Sequence, residues 1–281
     1  MRTVYDVLLV EDDHAVQAAA ARILRGEGLS VDLAEDVSAA VARLRHAEHR
    51  VVLSDLMLPG FSGFELLDRV VSDRPQLPVV LITGYATIEN ALHAFKRGAF
   101  DFLPKPFDIA ELLGVIRRAM RCAEAASWSA FAPVRDLIGG DPAARPDRLR
   151  FLGQHAWAEI DAAGVRVGVA ESFAGWMGRL VEVRLPRVGD QVTQGLSFAE
   201  LAAADEAVHR VWAPLGGTVI DVNLEVRDDP GLLDRAPFSA GWLIRILPSA
   251  LAEQEDALSL RNPAPVAAPR GVVGKEKRWS F

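Results

Sequence analysis

Between residues 4 and 104, short apolar runs alternate with longer amphipathic stretches. The runs are Val4–Val10, Val31–Ala34, Val51–Asp55, Pro78–Thr83 and Phe100–Leu103, and they predict five strands. The segments between them read as helices. After Asp13, a residue suited to capping, Val16, Ala19, Ala20, Ile23 and Leu24 recur at helical spacing until Gly26 and Gly28 offer a stop. Five consecutive strand–helix units predict an α/β, doubly wound, five-stranded parallel sheet with helices on both faces.

From Phe151 to Pro248 the pattern shortens. Alternating or apolar runs at Val165–Val169, Leu180–Leu185, Leu196–Leu201, Val208–Trp212, Thr218–Val222 and Trp242–Leu247 are punctuated by Pro186, Gly189, Asp190, Gly195, Pro214, Gly216, Gly217, Pro230 and Gly231. This predicts a mostly β sandwich or barrel. Residues 202–207 read as a hairpin tip between Ser197–Leu201 and Val208–Trp212, with a helical turn left open there. Pro133, Gly139, Gly140, Pro142 and Pro146 interrupt a stretch without periodicity. The expected organisation is a first domain over 1–122, a linker over 123–150, a second domain over 151–250, and a mobile Ala/Pro-rich tail over 251–281.

Composition adds bounds to this picture. The chain has 281 residues, room for about two domains, and all six tryptophans lie after residue 122 while both tyrosines lie before it, so two separate cores are expected. Half of the residues are apolar, a quarter are charged and the net charge is -7, which argues against disorder and against a surface that coats nucleic acid. Residues 123–281 carry 17 Lys/Arg against 21 Asp/Glu, so no DNA partner is expected. The start passes directly from a short apolar run into Glu11-Asp12-Asp13, without a secretory pattern, and no apolar run approaches a membrane span. A cytoplasmic protein with no membrane contact is expected. The single Cys122 makes no intramolecular disulfide. Only four lysines occur, at 96, 105, 275 and 277, so lysine chemistry has few addresses.

In a parallel sheet of this kind ligands bind at the carboxyl ends of the strands. Glu11, Asp12 and Asp13 close the first run, Asp55 the third and Thr83 the fourth, and Lys105-Pro106 follows the fifth. Crowded carboxylates raise one another's pKa unless a cation sits among them, and a hard, oxygen-only cluster suits Mg²⁺. Asp55 then serves as a nucleophile toward a phosphoryl group, with Mg²⁺ and Lys105 neutralising charge and Thr83 supplying a hydroxyl. This describes an aspartyl-phosphate site.

Residues 3 to about 120 resemble a response-regulator receiver domain, through Val-Glu-Asp-Asp at 10–13, Ser-Asp-Leu-Met-Leu-Pro-Gly at 54–60, Ile-Thr-Gly at 82–84 and Phe-Leu-Pro-Lys-Pro-Phe at 102–107. The run from Gly84 to Phe107 is most similar to receivers of enhancer-binding activators. The resemblance implies Asp55 as phosphoacceptor, Glu11 and Asp12 as the acidic pair around Mg²⁺, and a backbone carbonyl ligand from Met57. It implies a switch of Thr83 and Phe102, read out on the face made by Ala86–Arg97, strand five and Asp108–Arg121. Tyr85 is placed to screen the phosphoryl group from water. A sensor histidine kinase or phosphotransfer protein is the implied donor, and the Ala86–Arg121 face is expected to serve either homodimerisation or contact with the second domain. No chemistry beyond self-phosphotransfer and autodephosphorylation is expected. The activators' own output machinery is not evident, since neither a GxxxxGK[ST] loop nor a convincing helix-turn-helix pair occurs.

The second domain resembles the H protein of the glycine cleavage system, a lipoyl-domain relative with a hybrid barrel-sandwich fold. The carrying residues are Val-Gly-Val-Ala at 167–170, Leu-Val-Glu-Val-Arg-Leu-Pro-Arg-Val-Gly-Asp at 180–190, Trp-Ala-Pro-Leu-Gly-Gly-Thr-Val at 212–219 and Gly-Trp-Leu-Ile-Arg-Ile at 241–246, with Gln154–Trp157 fitting the opening strand. That family carries lipoate on a hairpin lysine. Counting back from Trp212-Ala213-Pro214 puts Glu206 at the attachment position, and no lysine occurs between 106 and 274. No lipoate is therefore expected, and the domain reads as a protein-binding output with an unidentified partner. A non-lipoylated mimic that regulates lipoate-handling or glycine-cleavage enzymes is the alternative, and a DNA-binding regulator is disfavoured by charge. Asp205-Glu206 is either a recognition feature or a solvated tip, and His155 and His209 read as structural or surface residues rather than metal ligands.

Overall fold

The computed structural model describes residues 2–124, 148–255 and 258. In the first domain β1 (Val4–Val10), β2 (Val31–Ala34), β3 (Glu48–Asp55), β4 (Val79–Thr83) and β5 (Asp101–Pro104) alternate with α1 (His14–Gly26), α2 (Val37–His46), α3 (Gly63–Asp73), α4 (Ile88–Lys96) and α5 (Ile109–Glu124). All strand pairs are parallel, in the order β2-β1-β3-β4-β5. The order reverses between β1 and β3, whose ends lie side by side with Val10 opposite Ser54, and this opens the ligand crevice of a doubly wound sheet. Strand residues alternate between two apolar layers. Leu8, Val10, Val52 and Leu81 pack with α2, α3 and α4, while Val7, Leu9, Val51, Val80 and Ile82 pack with α1 and α5. Asp13 starts α1 as its sequence position predicts, its carboxylate accepting from the amides of Ala15 and Val16 at 2.8 and 3.1 Å.

The second domain is antiparallel. Strands β6 (Leu149–Leu152), β7 (Ala156–Asp161), β8 (Gly164–Val169), β10 (Gln191–Val192), β13 (Gly217–Val222) and β14 (Trp242–Pro248) form a six-stranded sheet in the order β10-β13-β14-β8-β7-β6. A second sheet holds β9 (Leu180–Arg184), β11 (Ser197–Ala203) and β12 (Val208–Trp212) in the order β12-β11-β9. Four short helices add to the expected strands: α6 (Glu171–Met177), α7 (Glu225–Asp228), α8 (Leu232–Arg235) and α9 (Leu251–Glu255). None exceeds two turns, so none shows a readable period. At the hairpin tip no helical turn forms. β11 continues to Ala203, and Glu206 takes a left-handed conformation with φ 66°.

The beginning of the expected tail belongs to the fold. Gln254 accepts from the Gly216 amide at 2.6 Å through its side chain, its backbone oxygen accepts from Gln194 at 2.8 Å, and Leu258 is buried. Residues 256–257 and 259–281, like positions 125–147 of the linker expected over 123–150, lie outside the described residues. Two apolar clusters are present, but they do not divide by domain. One apolar cluster runs from Leu8 and Leu81 through Phe95 and Phe102 into Phe151, Trp157 and Trp212 of the second domain. Among the described residues no helix is long and apolar enough to cross a membrane.

Candidate functional site

The crevice between β1 and β3 gathers the acidic residues anticipated at the strand ends. Carboxylate oxygens of Glu11, Asp12 and Asp55 lie within 4.8 Å of one another. Glu11 and Asp55 are buried and Asp12 is exposed. Lys105, just beyond β5, reaches across the crevice and donates to Glu11 at 2.8 Å and to Asp55 at 2.5 Å. Its backbone amide is anchored on the Thr83 carbonyl at 2.7 Å, and the Lys105–Pro106 peptide is cis. The other oxygen of Asp55 accepts from the Met57 amide at 2.9 Å. α3 begins directly against this point. A Cβ on Gly63 would meet the Asp55 carbonyl at 2.3 Å, so a side chain there would push the helix off the site.

Burial raises Glu11 above its ordinary pKa, against the pull of Lys105. Burial also acts to lower Lys105, but hydrogen bonds to Asp55 and Glu11 outweigh it and hold the ammonium above its usual value. Three carboxylates thus face a single ammonium. This hard, oxygen-rich and undercompensated set fits a divalent ion such as Mg²⁺. Met57 is positioned by its amide. Thr83 is fully buried and its hydroxyl accepts from the Tyr85 amide at 3.0 Å, while Tyr85 itself is 66% exposed.

Phe102 lies at a seam between the domains. Its ring meets Trp212 edge-on with centroids 5.9 Å apart, and Phe95 of α4 packs on Trp212 and His155. Asp101, the first residue of β5, accepts from the Trp212 indole at 3.2 Å and from Arg118 of α5. Arg118 also donates to His209 at 3.2 Å. Arg210 pairs with Glu111 at 2.6 Å, and Asp205 of the hairpin tip with Arg121 at 2.8 Å. Halfway along α5, Gly114 lies so close to β12 that a Cβ would meet the Val208 carbonyl at 2.4 Å. The face expected to serve either homodimerisation or contact with the second domain is therefore occupied by the chain's own second domain.

Sequence reasoning does not pick out Asp101, Arg118 or Trp212. A signal is present for the first, since a charge inside the apolar run Phe100–Leu103 must find a partner if that run is buried. Nothing in the sequence says that the partners are Arg118 and Trp212. Glu206 is exposed at the tip, whereas its neighbour Asp205 is engaged by Arg117 and Arg121 of α5.

His155 and His209 are structural. An arginine can only donate, so Nδ1 of His209 accepts from Arg118 and its Nε2 donates to the Met177 carbonyl at 3.2 Å. Nε2 of His155 donates to the Phe100 carbonyl at 2.7 Å. Burial pushes His155 down to about 4 and His209 to about 3, with Arg118 adding to both shifts and Asp101 opposing that of His155. An unfolded imidazole takes its proton near 6.5. The stability tied to these neutral rings is thus complete above that pH and is lost as pH falls toward 4 and 3. A loss of about 2 kcal/mol per imidazole is expected at pH 5. The thermal midpoint should drop between pH 7.5 and pH 5, and His155→Gln, which keeps a donor for Phe100 but does not titrate, should flatten the slope. An unchanged midpoint in the wild-type protein would refute this.

Comparison with known proteins matches the two halves separately. Residues 7–117 match the family model for the response regulator receiver domain, and residues 149–265 that for the glycine cleavage H-protein. The DNA-binding transcriptional regulator NtrC of Salmonella typhimurium is 34% identical over 158 residues, covering 55% of this chain and 34% of the relative. The glycine cleavage system H protein of Streptomyces avermitilis is 38% identical over 115 residues, covering 41% of this chain and 90% of the relative. The crystal structure of the receiver domain of NtrX from Brucella abortus shares 38% identity, with 41% of this chain and 98% of that chain covered and a TM-score of 0.40. The chain spans about a third of the length of the NtrC relatives that it matches.

Proposed function

We propose, from the premise that the chain belongs to the glycine cleavage H-protein family by its second domain and to the response-regulator receivers by its first, that it is a phosphorelay switch with a non-carrier output domain. Receiver domains bind Mg²⁺ through an acidic cluster and interact with histidine kinases or phosphotransfer proteins, and Glu11, Asp12 and Asp55 form such a cluster. The observation that carries the reading is the two-sided grip on Asp55, by Lys105 on one oxygen and the Met57 amide on the other.

An Asp55 oxygen attacks the phosphorus of a phosphohistidine donor. The P–N bond breaks, its electrons stay on the imidazole nitrogen, and an acyl phosphate forms. Glu11, Asp12 and Asp55, with the Met57 carbonyl, would hold a divalent ion, which when bound would supply positive charge to the phosphoryl oxygens. Lys105 moves its hydrogen bonds to those oxygens, and the Thr83 hydroxyl donates to them. Water later attacks phosphorus, releasing inorganic phosphate and restoring the carboxylate. Tyr85, at the rim, slows that step by shielding phosphorus. No other substrate is turned over.

The second domain acts through protein contacts and carries no lipoate, because Glu206 offers no amine for an amide-linked carrier. The hairpin tip, with Glu206 at the position where H proteins carry lipoate, favours as a second reading a non-lipoylated mimic that regulates lipoate-handling or glycine-cleavage enzymes.

The test is metal-dependent labelling. Acetyl phosphate with Mg²⁺ should add a single hydroxylamine-labile phosphoryl group to the peptide containing Asp55, and a chelator should reduce uptake to background. A label that persists without divalent ions, or that maps to another peptide, overturns the reading.

A further inference from the structure

Gln17, in the first turn of α1, is a buried polar residue beside the crevice that none of the chemistry above uses. Its side-chain amide donates to two main-chain carbonyls. Nε2 reaches the Glu11 oxygen at 2.9 Å and the Ala34 oxygen at 3.0 Å. The Ala34 oxygen also accepts from the Glu11 amide at 3.1 Å, and the Gln17 backbone amide donates to the Asp13 oxygen at 2.8 Å. One residue therefore ties down both ends of the segment Glu11-Asp12-Asp13.

Strand pairing explains why a side chain is needed there. The register of β1 ends at Val10, opposite Ala34 of β2 and Ser54 of β3. The Glu11 carbonyl lies beyond both ladders, and a buried carbonyl without a donor is costly. Gln17 supplies that donor from the helix that follows. The tie also bears on charge. Oxygens of Glu11, Asp12 and Asp55 lie within 4.8 Å of one another and repel. Lys105 pairs with Glu11 and Asp55 but not with Asp12, so the place of Asp12 is set by its main chain. Ligands that folding has already gathered bind an ion more tightly, because binding no longer carries the cost of assembling them.

We propose that Gln17 is a positioning residue for the divalent ion: by bonding the Glu11 and Ala34 carbonyls it holds the Glu11–Asp12 peptide at the crevice and thereby sets the affinity of the site. It acts through the main chain of the ligand residues. The inference rests on Glu11, Asp12 and Asp55 being the residues that hold the ion.

The test is calorimetric titration of the full chain with Mg²⁺, with the urea midpoint of each protein measured alongside. Gln17→Met keeps the length of the side chain and removes both donors. Gln17→Glu keeps the size and replaces the amide with a carboxyl group, which donates at most once. Each should bind Mg²⁺ about tenfold more weakly, the scale on which a hydrogen bond behind a metal ligand acts. Gln17→Glu also separates positioning from charge, since an added anion acting through space alone would tighten Mg²⁺. Val70→Ala, two turns into α3 in the apolar layer, lowers stability away from the crevice and should leave Mg²⁺ affinity unchanged. Unchanged affinity in both Gln17 variants, tighter binding by Gln17→Glu, or an equal loss in Val70→Ala overturns the positioning role and leaves the ion site standing. Gln17→Glu decides alone if Gln17→Met does not fold. Failure of the wild-type protein to bind Mg²⁺ overturns the ligand set, and the role of Gln17 with it.

Discussion

Asp55→Asn is expected to reduce phosphoryl uptake from acetyl phosphate to background while the protein stays folded. The amide has nearly the shape of the carboxylate and still accepts from the Met57 amide through its oxygen, so the hydrogen bond at 2.9 Å survives. Nucleophilicity does not. The amide has no anionic oxygen to attack phosphorus, and one of the three carboxylates that hold a divalent ion is gone. Loss of the anion also leaves Lys105 with Glu11 as its remaining ion-pair partner in the crevice. The readout is intact mass after incubation with acetyl phosphate and Mg²⁺. Uptake in the variant equal to that of the wild type would place the acceptor elsewhere, and among the described residues no other buried carboxylate shares the Lys105 and Met57 contacts of Asp55.

Arg118→Ala should be the most destabilising single change at the domain seam. Arg118 and Asp101 are both buried, and removing one partner leaves the other charge uncompensated, at a cost of about 3–5 kcal/mol. Arg118 also lies over the rings of Phe173 and Phe100, at 4.1 and 5.4 Å from their centroids, and donates to His209, so truncation removes contacts on three elements. The decrease in urea midpoint measures the effect. The control is Asp101→Asn combined with Arg118→Leu, which removes both charges and fills much of the volume. Its stability should recover most of the loss, because a buried pair is expensive to break but not inherently better than apolar packing. A destabilisation of Arg118→Ala below about 1 kcal/mol, the range of an exposed pair, would mean that the seam opens readily to water.

The receiver is largely legible in its sequence for a physical reason. Each functional group sits at the end of an apolar strand, and in a parallel sheet those ends converge whatever the details of packing. The strand pattern alone therefore brings Glu11, Asp12, Asp55, Thr83 and Lys105 to one edge. Strand limits differ by a few residues where polar positions are paired with neighbours, as at Glu48 and His49 in β3. The second domain is less legible. Its strands show as short runs, but β6 begins at Leu149, inside the stretch that reads as linker, and helices of four to seven residues have no period to detect.

What the sequence determined by itself is local chemistry: an acidic cluster and a lysine at the strand ends, and a hairpin with Glu206 at the position where the related H proteins are expected to carry their lysine. Neither conclusion requires knowing how the domains meet. That the first domain's α4–β5–α5 face meets the second domain was one of two readings of the sequence, and the tertiary structure decided which residues make the contact. Asp101 pairs with Arg118 and Trp212, and Asp205 with Arg117 and Arg121, across separations of 17 to 111 residues. Such pairings carry no periodicity or spacing, since they follow from which surfaces bury their charges together. The same surfaces joined one of the two apolar layers of the first domain to the core of the second, and placed the second domain on the face for which a second copy was the other expected occupant.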